Sequence, residues 1–450
     1  MIIEKLFIRL GRRKFHTIIS REIIKPSSPT PSHLQTYNLS ILDQTGRPSI
    51  YSPLILFYPN NGITQRFTLE DKVKLLKKSL SQSLEQYYPF AGRLHTHTTP
   101  YVDCNDEGIV FLEARNDSHM ESFQNIKEHD ESLDRLFADN MVCFNSPGNT
   151  SLLGVQVNHF ACGGLGVAVS MSHAIGDACT LGSFVSYWAS MARYNSNDHE
   201  EVRPLNPHFI RHPRKIVDSE PEYRDINQGY EICVTRKFMF SNTKLSDLKN
   251  KVADESSPRI INPTRVEVLT SLLYKTAVAA ATAKSGSFKP SYLSMPVNLR
   301  NTFVPKLPQT TVGNIFTHIM VMSTPTNETS LSVVVDEIQK EKVQVERVQS
   351  FPQAAERHES LLSKLRNEEL DFRSYWCSSV CGLSYNKVDF GWGNAMGATF
   401  AIRSMSMRGF LLGDTPDGNG IEALVILEKE DMDIFENDKE MLSFCQIKQV

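Results

Sequence analysis

The spacing of apolar residues changes abruptly near the middle of the first half of this chain. From Leu152 to Met171 the apolar residues alternate with others, ending in Val167, Val169 and Met171. From Asp177 the spacing becomes helical, with Leu181 and Trp188 on one face. A period of two is typical of a strand and a period of 3.6 is typical of a helix. We therefore predict that a strand ends near residue 172 and that a helix begins after Gly176.

Both kinds of pattern recur along the chain. A capping box, Thr264-Arg265-Val266-Glu267, predicts the start of a helix. The predicted helices are Asp71–Gln86, Val266–Ala281, Thr329–Val348 and Asp431–Phe444, and a further strand is predicted at Leu293–Leu299, ending at Arg300. Because strands and helices mix in both halves, we expect an α/β fold whose sheets are covered by helices.

The length of 450 residues exceeds what one hydrophobic core usually supports, so two domains are expected. Residues 191–230 are polar and have no apolar periodicity, which is typical of a linker. We predict an N-terminal domain at 1–190, a crossover linker at 191–230 and a C-terminal domain at 231–450.

Composition excludes several classes of function. A net charge of −3 gives no reason to expect nucleic acid or an anionic membrane as a partner. No apolar run approaches the ~18 residues that a membrane span needs. The eight cysteines form no zinc-binding pattern, so we expect no metal and predict reduced thiols in a cytoplasmic protein.

The first 20 residues allow two interpretations. Five basic residues among Leu, Ile and Phe resemble a transit peptide, but Glu4 and the scarcity of serine do not. We favour the alternative, in which the segment from Phe15 to Ile19 is the first strand.

His173 follows the predicted strand and is the only histidine in the chain with an aspartate four residues on. An imidazole has an unperturbed pKa of ~6.5 and can accept a proton from an alcohol near neutral pH. We predict His173 as a catalytic base. The alternative is a core histidine bonded to a backbone carbonyl.

Asp177 has two possible roles from the residues alone. It precedes an apolar helix and could cap the N-terminus of that helix, or it could orient His173 as in a catalytic triad.

A second block, Asp389-Phe390-Gly391-Trp392-Gly393, contains two glycines, one acid and two aromatic residues. Taken alone, this composition predicts a tight turn with packed rings.

The two blocks together resemble those of the plant BAHD acyltransferases, which transfer an acyl group from coenzyme A to an alcohol or amine. The resemblance covers nearly the whole chain. It includes the Pro26–Pro31 segment, Tyr88–Leu94, Pro263–Glu267, Val297–Arg300 and Gly313-Asn314.

The resemblance implies two similar two-layer α/β domains with mixed sheets, as in chloramphenicol acetyltransferase, and an active-site tunnel between them. It implies that His173 is the base, that Asp177 pairs with Arg300, and that no acyl-enzyme forms. Asp389 and Trp392 are expected to shape the tunnel and the coenzyme A region. Thr270 and Ser271, one turn into the Val266 helix, are expected as further coenzyme A contacts.

The branch of the family that the chain most resembles acetylates monoterpenoid indole alkaloids. We therefore expect a monomeric O-acetyltransferase with acetyl-CoA as a co-substrate and no permanently bound cofactor. Departures at Ala174, Val380-Cys381-Gly382 and Asn394-Ala395 leave the acceptor open. The alternatives are a terpenoid, aliphatic or phenolic acceptor, malonyl-CoA as donor, or a non-catalytic relative that only binds a ligand.

Overall fold

The computed structural model describes residues 16–45, 50–60, 67–96, 100–124, 132–142, 151–196, 205–212, 233–255, 260, 262–324, 329–367, 372–402 and 407–446. Its strands are β1 His16–Ile24, β2 Thr36–Asn38, β3 Tyr51–Tyr58, β4 Arg93–His95, β5 Tyr101–Asp103, β6 Ile109–Asn116, β7 Leu153–Phe160, β8 Leu165–Ser172, β9 Cys233–Ser241, β10 Ser291–Asn298, β11 Phe316–Ser323, β12 Arg373–Ser379, β13 Gly397–Phe400, β14 Gly409–Asp414 and β15 Gly420–Glu428. Its α-helices are α1 Leu69–Gln86, α2 Glu121–Gln124, α3 Ala178–Asn195, α4 Asn242–Glu255, α5 Arg265–Ser285, α6 Leu331–Val345, α7 Phe351–Asn367, α8 Lys429–Phe435 and α9 Lys439–Phe444.

The strands form two six-stranded mixed sheets and one small sheet. The N-terminal sheet has the order β1-β6-β7-β8-β3-β13, and the C-terminal sheet has the order β11-β10-β12-β14-β15-β9. Each contains parallel and antiparallel neighbours, and β2-β5-β4 form the third sheet. The predicted α/β fold with mixed sheets in two domains is confirmed.

The hairpin β7-β8 lies in the middle of the N-terminal sheet and is buried on both faces. Val167 and Val169 pack into the main N-terminal core, whereas Ala168 packs into a smaller cluster on the opposite face. The alternating sequence therefore separates two apolar layers rather than a core from solvent.

The helix beginnings agree with the sequence signals. Thr264 caps α5, and its hydroxyl accepts from the Glu267 amide, while the Glu267 carboxylate accepts from the Thr264 amide. Gly286 ends this helix in the left-handed conformation with φ 72°, which costs glycine little. The predicted helix at Asp431–Phe444 is divided into α8 and α9.

The domain boundary predicted from sequence needs a correction. Strand β13 belongs to the C-terminal half of the chain but pairs antiparallel with β3 in the N-terminal sheet. Side chains from Tyr385 to Ala395 also pack in the N-terminal core. Residues 385–400 are therefore part of the N-terminal unit, because their apolar side chains are buried there.

The predicted linker is helical at its start, since α3 extends to Asn195. Within it the structure describes 205–212, where Phe209 packs on Tyr37 and the His208 carbonyl accepts from the Val312 amide. This segment thus contacts both halves, and the rest of the linker beyond residue 196 lies outside the described residues. Within the described part of the chain, no helix is long and apolar enough to cross a membrane.

Candidate active site

His173 lies directly after β8, where the N-terminal sheet faces the C-terminal half. Its amide donates to the Ile50 carbonyl at 2.8 Å, which continues the pairing of β8 with β3. Its half-buried imidazole meets the ring of Phe316 on β11, with ring centroids 6.2 Å apart. His173 is therefore held by one sheet and presented to the other.

Asp177 caps α3 and also forms an ion pair. One carboxylate oxygen accepts from the Thr180 amide at 2.9 Å, as an N-cap does. The two oxygens accept from the Arg300 guanidinium at 2.8 and 3.0 Å. Among the described residues this carboxylate accepts from Thr180, Arg300 and the Ile315 amide, and not from the imidazole of His173. The structure favours the structural roles over a triad.

Arg300 is fully buried and joins the two halves of the chain. Besides Asp177, it donates to the carbonyls of Thr311 at 2.8 Å and Gly313 at 3.2 Å. A buried charge is tolerated only when it is paired and its hydrogen-bonding groups are satisfied. Arg300 therefore fixes the loop after His173 against the segment that leads into β11.

The half-buried face of β11 supplies residues that the sequence did not reveal. Phe316, His318, Met320 and Met322 alternate with buried residues and share the face that meets His173. Burial, with smaller contributions from His358 and His173, lowers the pKa of His318 to about 4. A neutral imidazole therefore lies next to the candidate base at physiological pH.

Asp389 organises a tight turn. One of its carboxylate oxygens accepts from the amides of Gly391 at 2.7 Å and Gly393 at 2.9 Å. These glycines have φ values of 111° and 103°, a region that side chains disfavour. The Asp389 carbonyl accepts from Arg193 on α3.

Phe390 and Trp392 pack in the N-terminal core against Tyr58, at the end of β3 opposite His173. Tyr51, at the other end of this eight-residue strand, pairs with Ser172. Strands rise ~3.3 Å per residue, so the turn lies roughly 23 Å from the histidine along β3. The arrangement favours the structural role of Asp389 and Trp392 and gives no support to their predicted contact with coenzyme A.

The structure also gives no support to the coenzyme A contacts predicted for Thr270 and Ser271. Both residues are fully buried on α5. The Thr270 hydroxyl meets the Cys377 sulfur at 3.4 Å, and the Ser271 hydroxyl donates to the Val268 carbonyl at 2.8 Å. Both hydroxyls are buried because α5 is buried at every position from Glu267 to Tyr274, which the capping signal alone could not reveal.

The structure has two domains with mixed sheets, and a histidine lies at the end of one sheet and faces the other. This arrangement is typical of the two-domain acyltransferases that the sequence motifs indicated. The sequence model of the family described as "Transferase family" matches residues 16–442 of the chain. The chain belongs to this family, the BAHD acyltransferases, and is an acyltransferase.

Curated relatives resemble the chain over nearly its whole length. Diaboline synthase from a Strychnos species is 34% identical, and the alignment covers 96% of this chain and 92% of the relative. The 17,18-epoxy-17-hydroxycur-19-ene N-malonyltransferase of Strychnos nux-vomica is also 34% identical, with coverage of 96% and 90%.

Solved structures show the same fold. Vinorine synthase superposes with a TM-score of 0.78 at 27% identity, covering 96% of this chain and 99% of the other. TRI101 of F. sporotrichioides, complexed with coenzyme A and T-2, has a TM-score of 0.68 at 17% identity, covering 91% and 99%. The second likeness supports the fold alone.

Proposed function

We propose that this protein transfers an acetyl group from acetyl-CoA to a hydroxyl of a monoterpenoid indole alkaloid, with His173 as the general base. The observation that carries the proposal is the position of His173, held by the N-terminal sheet and presented to the half-buried face of β11. Both substrates are expected in a tunnel between the domains, as the family resemblance implies.

In the proposed step, His173 removes the proton of the acceptor hydroxyl as its oxygen attacks the thioester carbonyl. The tetrahedral intermediate then expels the thiolate of coenzyme A, and the imidazolium returns the proton to that sulfur. General base catalysis of this kind contributes about 10²–10⁴-fold. Holding donor and acceptor together reduces the barrier further.

The proposal contains no acyl-enzyme. Cys179, two residues beyond Asp177, is the cysteine nearest to His173 in sequence. Burial raises the pKa of its thiol, so it is protonated near neutral pH and is a weak nucleophile. Direct transfer within a ternary complex needs no such group.

The relatives support an alkaloid acceptor without defining it. Diaboline synthase is among them, and so is akuammiline synthase 1 of Alstonia scholaris at 34% identity. The relative named as an N-malonyltransferase, at the same identity, keeps malonyl-CoA as the alternative donor. Limonoid 7-O-acetyltransferase of Citrus sinensis, at 31% identity, keeps a terpenoid as an alternative acceptor, beside the aliphatic and phenolic alcohols.

We also propose that the enzyme acts as a monomer in the cytoplasm. None of the seven cysteines in the described part of the chain forms a disulfide, which is usual in a reducing compartment.

The test measures thiol release from acetyl-CoA and, separately, from malonyl-CoA, with pooled indole alkaloid alcohols and with a pool of terpenoid and phenolic alcohols. We expect release with the alkaloid pool and a product heavier by one acetyl group. Release with only the second pool would reject the alkaloid acceptor, and release with only malonyl-CoA would reject the donor. If neither donor releases thiol with either pool of alcohols, the proposal as a whole is contradicted.

A further inference from the structure

A second buried carboxylate, that of Asp43, contacts Asn314, the residue whose side chain is hydrogen-bonded to the His173 carbonyl. Asp43 belongs to the short turn between β2 and β3 and is 1% exposed. Its neighbour Leu42 packs in the C-terminal core, although the turn is part of the N-terminal half. The turn therefore reaches across the boundary between the two halves.

Within the described part of the chain, Asp43 is buried with no Arg or Lys nitrogen paired to it. Five carboxylates are buried in the described part of the chain, and the other four each have an Arg or Lys nitrogen within 4.0 Å: Asp177, Glu267, Glu428 and Asp431. Among the described residues, the donors to the Asp43 carboxylate are all neutral. Burial raises the pKa of Asp43, while those hydrogen bonds oppose the rise.

The donors to Asp43 come mainly from one residue. One carboxylate oxygen accepts from the Asn314 amide at 2.6 Å and from the Asn314 side-chain nitrogen at 3.0 Å. The other oxygen accepts from the Ser40 amide at 3.0 Å, and the Ser40 hydroxyl accepts from the Asp43 amide at 3.1 Å. The carboxylate thus holds both the backbone and the side chain of Asn314.

Asn314 connects Asp43 to the candidate base. Its side-chain nitrogen also donates to the His173 carbonyl at 2.8 Å. Both contacts of that nitrogen are acceptors, so the amide can have only this orientation. Its oxygen is buried with no partner in the described structure.

The residues beside Asn314 are held by the other buried carboxylate of the site. The Ile315 amide donates to Asp177 at 3.1 Å, and the Gly313 carbonyl accepts from Arg300 at 3.2 Å. Residues 313–315 are therefore held by hydrogen bonds to Asp43 and to the Asp177–Arg300 pair.

We propose that Asp43, acting through Asn314, is a positioning residue that sets the location of the His173 imidazole. The inference rests on the proposed function, because it assigns His173 as the base. A displacement of about 1 Å at a reacting group can cost on the order of 10²-fold in rate. A carboxylate is suited to the task, since one of its oxygens accepts both Asn314 donors and charge strengthens each bond.

The test uses bromoacetyl-CoA, whose CH₂ group a neutral imidazole attacks with loss of bromide. It needs no acceptor alcohol, so it does not depend on the identity of the acceptor. The rate of His173 alkylation is measured by mass spectrometry of digested protein, at saturating reagent and at several lower concentrations. We expect Asp43→Asn to slow alkylation about tenfold or more at saturation, because its amide nitrogen would oppose the Ser40 amide and shift the turn.

The matched control is Asp431→Asn. Asp431 is also a buried carboxylate, but it belongs to a cluster with Arg373 on the C-terminal domain. Asp431→Asn is expected to alkylate within about twofold of wild type, since Asp431 pairs with Arg373 and Lys284 rather than with the residues that contact Asp43. A rate at saturation, rather than a half-saturating concentration, separates positioning of the base from binding of the reagent.

A second variant, Asn314→Ala, tests the same connection if Asp43→Asn does not fold. The double variant should alkylate no more slowly than the slower single variant, because the two residues act in series. Wild-type rates in both single variants, with His173 still labelled, would overturn the inference and leave the proposed function intact. Wild-type protein that is not labelled at His173 would instead count against the proposed function, and the inference would fail with it.

Discussion

At the scale of single residues, the site depends on charged side chains that are buried. In the ion pair between Asp177 and Arg300, the exposed fraction of the arginine side chain is 0% and that of the aspartate side chain is 11%. The resemblance predicted this pair, whereas the residues alone left the N-cap and triad interpretations open. The carboxylate serves as N-cap and ion-pair partner at once, because each oxygen accepts from Arg300 and also from one backbone amide, that of Thr180 or that of Ile315.

Removing one partner of this pair should be costly. Arg300→Met leaves Asp177 buried and unpaired, and we expect the free energy of unfolding to fall by about 3–5 kcal/mol in urea titrations. Adding Asp177→Asn to that variant removes the unpaired charge and should restore part of the stability. Lys74→Met, in the exposed Glu70–Lys74 pair, is the control and should leave the urea midpoint unchanged. A double variant less stable than Arg300→Met would contradict the interpretation.

Replacement of Asp177 alone should reduce activity by displacing the His173 loop. Asn keeps an oxygen for the Thr180 amide and for Arg300, whereas Ala keeps neither. We therefore expect Asp177→Asn to retain more turnover than Asp177→Ala, measured as thiol release at saturating substrates. Equal losses in the two variants would argue that charge alone matters.

His318 should make the fold sensitive to acid. Its folded pKa of about 4 lies below the unfolded value of ~6.5, so the unfolded chain binds the proton first as the pH falls. Its contribution to stability is complete above pH ~6.5 and is lost progressively toward pH ~4, with a slope on the order of 1 kcal/mol per pH unit.

Urea unfolding of His318→Gln between about pH 7 and 5 tests this dependence, since Gln does not titrate. The variant should lose less stability on acidification than wild type. Burial also lowers the pKa of His16, His159, His212 and His358, so some dependence should remain. An unchanged slope would show that His318 is not the buried neutral group that the structure indicates.

At the scale of elements, β13 is the feature that joins the two halves. Short-range patterns predicted the helices α1, α3, α5 and α6 and the strand character from Leu152 to Met171, because capping and alternation are local. The pairing of β13 with β3 joins residues more than 300 positions apart, and no local pattern encodes it. Its four residues, Gly397–Phe400, also have little alternation to recognise.

Proline substitutions can test the β13 ladder. The Ala401 amide donates to the Pro53 carbonyl at 3.1 Å, and in an antiparallel pair the amides of alternate residues face the same neighbour. The Thr399 amide therefore faces β3 and the Ala398 amide faces away from it. We expect Thr399→Pro to cost about 3 kcal/mol in urea unfolding and Ala398→Pro distinctly less. Equal costs would contradict this register.

At the scale of the whole molecule, the site is assembled from segments far apart in sequence. His173 and Asp177 were predictable because they follow one change of period and match a family motif. Asp43, Asn314 and His318 were not, since nothing local marks a turn or a strand face that only the second domain brings near. The burial of Thr270 and Ser271 was not predictable for the same reason: a helix start is visible in sequence, but the burial of its first turns depends on the sheet beneath.

The central claim is that His173 removes the acceptor proton in a complex that holds both substrates. The measurement that tests it most directly compares the rate of thiol release by wild type and His173→Ala, with acetyl-CoA and an acceptor that wild type converts. The intact protein mass is recorded during turnover. We predict a loss of about 10²–10⁴-fold in the variant, with coenzyme A still stabilising both proteins against heat and no acetylated protein in wild type. A variant that keeps the wild-type rate, or an acetylated wild-type intermediate that reacts with the alcohol, would contradict the account.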